Sequence, residues 1–478
     1  MKTVTALVAM FFCAAAAYSG AAPDPGAAYC SQLIPDLKFI HRQLIENSAN
    51  VRYSTETAAL AAAAYDAEMA AAPGCKGKID YIRGVKRYIA SYHDPHLTLN
   101  FDPAWLKGTG LAMKKLNGRY FVIAKIGGMA SPGEVEAGDE LVSCGGKPPL
   151  DILESEVLPF EAFYNKEAAL YQYAKRGLFL RSDVTEGEET ACLFRKGNKT
   201  FGAKLKWQQV DGHELLEYKN AYVRGPVYKF ERIEGVPWIT FSTFDPKNPE
   251  EAGLLSEFVE DVKKLRGEKI IVLDMRGNGG GNSDWGARWL KNLIGYSPVL
   301  PGRALIWASK ANADYYESFM KKYFAEASLS PQEKEDWKGF VDCIKSRPDT
   351  FLECDSKLEH PDAKTERTGF KGRILLITDA GCFSSCEDFV LTLRLTGLMT
   401  QLGLATNAST AFGEIRVGVK TPSGFAKLNF PQKVFLIEGM GQGPLKPDIG
   451  IDYDVTEELK GIDSIKMAVL AKLRGGKL

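Results

Sequence analysis

Two short segments hold residues whose types and spacing could do chemistry. The first, Asp274-Met-Arg-Gly-Asn-Gly-Gly-Gly-Asn282, follows a continuous apolar run over residues 269–275 and leads into a helical pattern with Trp285, Trp289 and Leu290. Glycines let backbone N–H groups approach a ligand without a Cβ in the way, and a helix N-terminus adds positive potential. A bound phosphate is one use of such a loop and an oxyanion hole is another. Neither G-x-G-x-x-G nor a Gly-Lys-Ser/Thr phosphate loop is present. By itself the segment reads equally well as a tight turn.

The second segment is Thr378-Asp-Ala-Gly-Cys-Phe-Ser-Ser-Cys-Glu-Asp388, between an apolar strand pattern and a helix carrying Phe389, Val390 and Leu393. A serine on a sharp strand–turn–helix junction is exposed, and the N–H of the next residue points to the same place. Acyl transfer requires that arrangement: a hydroxyl nucleophile with donors about 3 Å from the developing oxyanion. The plainer alternative makes Ser384 or Ser385 a helix cap, with Glu387 and Asp388 complementing the helix dipole.

Together, in this order and spacing, the two segments resemble the family of C-terminal processing peptidases and tricorn-core serine peptidases. The resemblance implies Ser384, three residues before Glu387, as nucleophile, and the backbone N–H groups of Ser385 and of Gly279 or Gly280 as oxyanion donors. It implies no metal and no organic cofactor. One branch of the family uses a lysine in a Phe-Gly-Lys-Gly setting as general base. Here the matching stretch is Ala411-Phe-Gly-Glu-Ile415, so Glu414 stands in that place, and Lys420 and Lys427 come only later. The chain therefore resembles the tricorn-like Ser-His-Glu branch. Tyr92-His-Asp-Pro-His-Leu-Thr98 is similar to its Asp-Gly-His-Thr segment and nominates His96 as base, a role suited to an imidazole. The stretch from Ile437 to Asp448 nominates Glu438 to orient the histidine. The plainer readings place His96, with His93 and Asp94, at a helix end, and Glu438 on a surface turn.

The elements that must position these residues fall into a multidomain α+β order. Leu33, Leu37, Ile40 and Leu44, then Ile79, Ile82, Val85 and Ile89, recur at helical spacing, which predicts an N-terminal helical domain over 27–104. Residues 120–126, 138–146, 190–194 and 201–207 read as strands. With the Gly-Asp turn at 138–139 they resemble a PDZ-like β-rich domain over 105–212, carrying a helical insertion at 161–176. Such domains take a peptide as an added strand. From 213 to 478 strands and helices alternate. The strands at 238–242, 269–275 and 373–378, with Leu255, Phe258 and Val262 on an intervening helix, predict an α/β domain with a largely parallel, covered sheet. Functional loops of such sheets lie at the carboxyl ends of the strands, where both segments sit.

Bulk properties narrow the function. Lys+Arg and Asp+Glu are 60 each among 478 residues, so there is no electrostatic reason to expect nucleic acid or an anionic membrane as partner. Residues 1–22 read as a signal peptide: Lys2, an apolar stretch, then Ser19-Gly20-Ala21-Ala22. No later segment is apolar enough for a membrane span, so a periplasmic or secreted protein is expected. Nine cysteines occur; without Cys13 in the leader, eight remain, an even number that reads as a disulfide set. Pairing of sequence neighbours is one possibility, and Cys382 with Cys386 would stiffen the serine turn. No Cys-x-x-Cys occurs and the five histidines are scattered, so no zinc site is expected. The expected function is that of an exported serine endopeptidase acting on proteins or peptides through a Ser384 acyl-enzyme. The alternative is an inactive peptidase fold binding peptides or hydrophobic ligands; related domains of interphotoreceptor retinoid-binding protein bind hydrophobic ligands.

Overall fold

The computed structural model describes residues 25–222, 226–296, 298, 300–326, 331–354, 369–408 and 410–476. The expected signal peptide, with Cys13, lies outside them. Among the described residues no helix is long and apolar enough to cross a membrane.

The sheet that carries the two segments has six strands. Tyr228–Ile233 and Val236–Phe241 form an antiparallel hairpin. Val236–Phe241, Ile270–Asp274, Arg373–Thr378, Met399–Gly403 and Ile449–Gly450 then follow, every pairing parallel. Alternation of side chains across the strands decides which face each residue meets. Ile271, Leu273, Ile374 and Leu376 enter one core with Phe241, Phe258, Trp289 and Phe389. Val272, Leu375 and Ile377 enter the opposite core with Trp238, Ile465 and Val469. Both faces are therefore covered, which is why these strands read as unbroken apolar runs. Because Ile270–Asp274 and Arg373–Thr378 are parallel neighbours, the glycine loop and the serine turn leave the same edge side by side.

A second sheet joins the ends of the chain. Thr98–Phe101 pairs antiparallel with Ala426–Ile437, which also pairs with Gly302–Trp307 and Phe412–Lys420. The helices Pro25–Asn47 and Lys78–Ala90 bury Leu37, Tyr81, Val85 and Tyr88 in a core completed by Leu428 and Phe430. The expected helical segment thus shares its core and a sheet with C-terminal strands.

Residues 107–210 contain a third sheet, five antiparallel strands from Leu111–Leu116 to Lys199–Lys206, packed on the helix Lys166–Arg176. That helix also reaches the serine turn. Tyr171 donates to Asp379 Oδ2 at 2.9 Å and Gln172 Nε2 to the Ala380 carbonyl at 2.8 Å. Among the described residues four disulfides join sequence neighbours: Cys30–Cys75, Cys144–Cys192, Cys343–Cys354 and Cys382–Cys386.

One ion-pair cluster ties the glycine loop to the C-terminal helix Ser464–Arg474. The buried Arg276 guanidinium donates to Asp274 (Nε–Oδ1 2.8 Å) and to Asp463, the N-cap of that helix (Nη1–Oδ1 2.8 Å). Removing the arginine would leave Asp274 buried and uncompensated. Arg276→Ala is expected to lower the unfolding free energy by about 3–5 kcal/mol, read from urea unfolding. A loss under about 1 kcal/mol, the scale of a surface pair, would contradict the role given to this pair.

Candidate active site

Ser384 begins the helix Ser385–Leu395 with φ 57° and ψ −124°. A non-glycine residue in such a sparsely populated region costs about 1–3 kcal/mol and persists only where its surroundings over-determine it. The Ser384 N–H donates to Glu387 Oε2 at 3.1 Å. Glu387 is itself buried, and its Oε1 accepts from the Thr406 hydroxyl (2.7 Å) and the Ala408 N–H (3.0 Å). The three-residue spacing from serine to glutamate has a physical reason: a carboxylate in the first helical turn reaches back to the strained residue. The Asp379 Oδ1 accepts the N–H groups of both Gly277 (2.8 Å) and Gly381 (2.9 Å), bolting the two loops together. The Phe383 N–H donates to the Asn278 carbonyl at 3.1 Å.

Glycine is required where the loops touch. A Cβ on Gly280, at φ 90°, would lie 2.6 Å from the Phe383 carbonyl oxygen and 2.9 Å from both Ser384 Cβ and Ser385 N. The far end of the loop is held by Phe244, whose N–H donates to the Gly280 carbonyl at 2.9 Å, and by the Ser385 hydroxyl, which donates to the Gly281 carbonyl at 2.6 Å. The N–H of Gly280 is already used, donating to Asn278 Oδ1 at 2.9 Å. The N–H groups of Gly279 and Ser385 have no partner among the described residues. Of the three expected donors, two are thus open and Gly280 is engaged.

His96 is buried, with 4% of its surface exposed, between the helix Lys78–Ala90 and the strand Thr98–Phe101. Its ring stacks on Phe383 with centroids 4.5 Å apart, so the imidazole lies beside the residue preceding Ser384. Its backbone N–H donates to Asp94 Oδ1 at 2.9 Å, and its Nδ1 lies 3.6 Å from the same oxygen. Asp94 is fixed in turn by Asn50 Nδ2, which donates to its Oδ2 at 3.0 Å. Neither ring nitrogen has a hydrogen-bond partner among the described residues, Ser384 included. Catalytic hydrogen bonds of an unliganded site are often long and tighten only around substrate.

Glu438 lies elsewhere. It is exposed on the turn after Ala426–Ile437, its N–H donates to the Pro301 carbonyl at 3.2 Å, and its carboxylate has no partner among the described residues. The pairing of Thr98 with Asn429 sets His96 toward the middle of that strand, whereas Glu438 follows its last residue. Two other carboxyl groups stand in relation to His96: Asp94, 3.6 Å from its Nδ1, and Asp388, on which the imidazole acts electrostatically; neither is among the site residues expected from sequence. Asp94 stands two positions before His96 in the quoted motif, and Asp388 directly follows Glu387. Glu414 faces Lys433 at 3.8 Å, and Lys420 and Lys427 are cross-strand partners at the end of their hairpin.

Asp388 stands one helical turn after Ser384 and accepts from the Ser283 hydroxyl at 2.8 Å. The residue keeps some solvent contact, but the protein atoms crowded around its carboxyl push its pKa up to about 6; the Ser283 hydrogen bond and the field of His96 oppose this. A carboxyl raised above its ordinary 3.8 favours the folded state only while protonated, so stability should fall as the pH rises from about 4 to about 6. Asp388→Asn should remove about 1–2 kcal/mol of that dependence, less than the full shift because solvent screens the group. Unfolding curves from pH 4 to 7 check this, and identical dependence in both proteins would contradict it. Gly280→Ala should lower the reactivity of Ser384 toward a fluorophosphonate by about 100-fold or more, through displacement of the turn. Unchanged labelling would contradict the tight packing described.

Residues 235–418 match the family described as Peptidase family S41. Among curated proteins, a sequence search finds no match. Among solved structures, mature CPAF complexed with lactacystin aligns at 14% identity with TM-score 0.68, covering 93% of this chain and 98% of that one. Mature CPAF alone aligns at 14% identity and TM-score 0.68, over 94% and 97%. The tricorn protease aligns at 15% identity and TM-score 0.41, over 93% of this chain and 36% of that one. The CPAF alignments show that nearly the whole chain shares their fold. The family match over 235–418, which contains both loops, together with that fold, supports a serine peptidase.

Proposed function

We propose that the chain is an exported endopeptidase that cleaves proteins or peptides through a Ser384 acyl-enzyme, in the tricorn-like manner with a histidine base. The observation that carries this is the strained Ser384 turn, held by Glu387 and the glycine loop, with the unpartnered His96 imidazole stacked on the adjoining Phe383. His96 takes the Ser384 hydroxyl proton as Oγ attacks the scissile carbonyl, and returns it to the leaving amine. A water, deprotonated by the same imidazole, then releases the acyl group. The Ser385 and Gly279 N–H groups receive the oxyanion. Asp94 takes the orienting place expected of Glu438, being 3.6 Å from His96 Nδ1 on a fixed support. The 105–212 module is proposed as PDZ-like, admitting an extended peptide to its sheet. Four disulfides support export to an oxidising compartment.

A second reading, a binding protein on a peptidase fold, draws on the absence of a hydrogen bond between His96 and Ser384. Fluorophosphonate labelling of the purified protein separates the two. The wild type should be labelled, Ser384→Ala should not, and His96→Gln should react about 100-fold or more slowly. No labelling of the wild type would favour binding, and labelling of Ser384→Ala would move the nucleophile elsewhere.

A further inference from the structure

The disulfide Cys382–Cys386 closes a ring around Phe383, Ser384 and Ser385, and both cysteines are fully buried in the main core with Phe389 and Val390. Its two ends differ in what holds them. Cys382 is pinned to the sheet edge, its N–H donating to the Asp379 carbonyl at 3.0 Å and its carbonyl accepting the Asn407 N–H at 2.9 Å. Cys386 belongs to the first turn of the helix, with its N–H on the Phe383 carbonyl at 3.2 Å. Glu387 restrains Ser384 through hydrogen bonds alone: its carboxylate accepts the Ser384 N–H at 3.1 Å and its own N–H donates to the Ser384 carbonyl at 2.7 Å. The bond therefore supplies a covalent tie across a residue whose φ of 57° is otherwise held by hydrogen bonds and packing alone. Inside the same ring lies Phe383, the platform for the His96 ring. One bond thus fixes both the nucleophile and the surface that locates its base.

We propose that Cys382 and Cys386 are positioning residues for Ser384, and that oxidation of their two thiols as the core closes makes the nucleophile turn competent. This rests on the serine-peptidase reading above. The step is a thiol–disulfide exchange: each cysteine loses its proton, the sulfurs join, and two electrons and two protons pass to a disulfide oxidant such as oxidised glutathione, which leaves as two thiols. Because both sulfurs are buried in the finished structure, the bond forms before or as the core closes and is not exchanged afterwards.

The test compares the full chain, the Cys382→Ala/Cys386→Ala variant, and a Cys343→Ala/Cys354→Ala control that removes a disulfide near the helix Pro331–Ser346. In the first variant kcat on a peptide should fall about 100-fold with KM within about twofold, while the control keeps wild-type kcat. Amide exchange over residues 383–388 should quicken about tenfold or more in the first variant alone. Wild-type kcat together with wild-type exchange would overturn the proposal. If the oxidised wild type neither hydrolyses peptide nor reacts with fluorophosphonate, the peptidase reading fails, and the exchange comparison still decides whether the bond holds the turn. Should the double variant not fold, the wild type unfolded and refolded in parallel with dithiothreitol and with oxidised glutathione replaces it. Activity and slow exchange that return only on oxidation support the clamp, and their presence before it, in protein shown by thiol alkylation to hold Cys382 and Cys386 reduced, would contradict it.

Discussion

A serine backbone at φ 57° does not stay there unaided, and much of the structure around residue 384 can be understood as what keeps it there. Strain of about 1–3 kcal/mol is opposed by a carboxylate hydrogen bond of about 1.5–3 kcal/mol from the Ser384 N–H to Glu387. Closing the short Cys382–Cys386 ring contributes about 2 kcal/mol in the chain-entropy account. Each support is thus on the scale of the strain it opposes, and together they over-determine the turn. Asp379 and Asn278 extend the restraint to the glycine loop, and Gly280 fits against the turn only because it lacks a side chain.

The parallel register carries this arrangement into the fold. Leu273 opposite Leu376 and Asp274 opposite Ile377 bring both strands to the same edge together, so the loops meet without long connections. His96 arrives by another route. The strand after it is paired to Ala426–Ile437, and the helices before it share a core with Leu428 and Phe430. The histidine therefore belongs to a continuous body with the C-terminal strands and needs no separate docking of a helical domain. The 107–210 sheet is likewise fastened at the serine turn by Tyr171 and Gln172, which makes that module a neighbour of Ser384.

Much of this was legible in the sequence where the cause is local. The runs at 269–275 and 373–378 announce strands buried on both faces, and the serine with a glutamate three residues on announces a turn that one carboxylate can hold. Tertiary placement was not legible. Glu438 was nominated by its motif, but where the strand Ala426–Ile437 ends relative to His96 depends on a pairing with Thr98–Phe101, across more than three hundred positions of chain. Gly280 has the right type for an oxyanion donor, yet only the folded Asn278 side chain reveals that its N–H is taken. Asp388 becomes visible as a neighbour of His96 only once Phe383 brings the imidazole over the turn, whereas Asp94 is already two positions away in the sequence. Disulfide pairing of neighbours, by contrast, follows from segments that each fold upon themselves.

The account rests on Ser384 and His96 acting on one carbonyl. A crystal structure of the protein inhibited by a peptidyl boronate would test this directly. The account predicts boron bonded to Ser384 Oγ, one boronate oxygen about 3 Å from the Ser385 N–H, and a His96 ring nitrogen within about 3 Å of the adduct. Boron on another residue, or a His96 imidazole more than about 8 Å from the adduct, would contradict it.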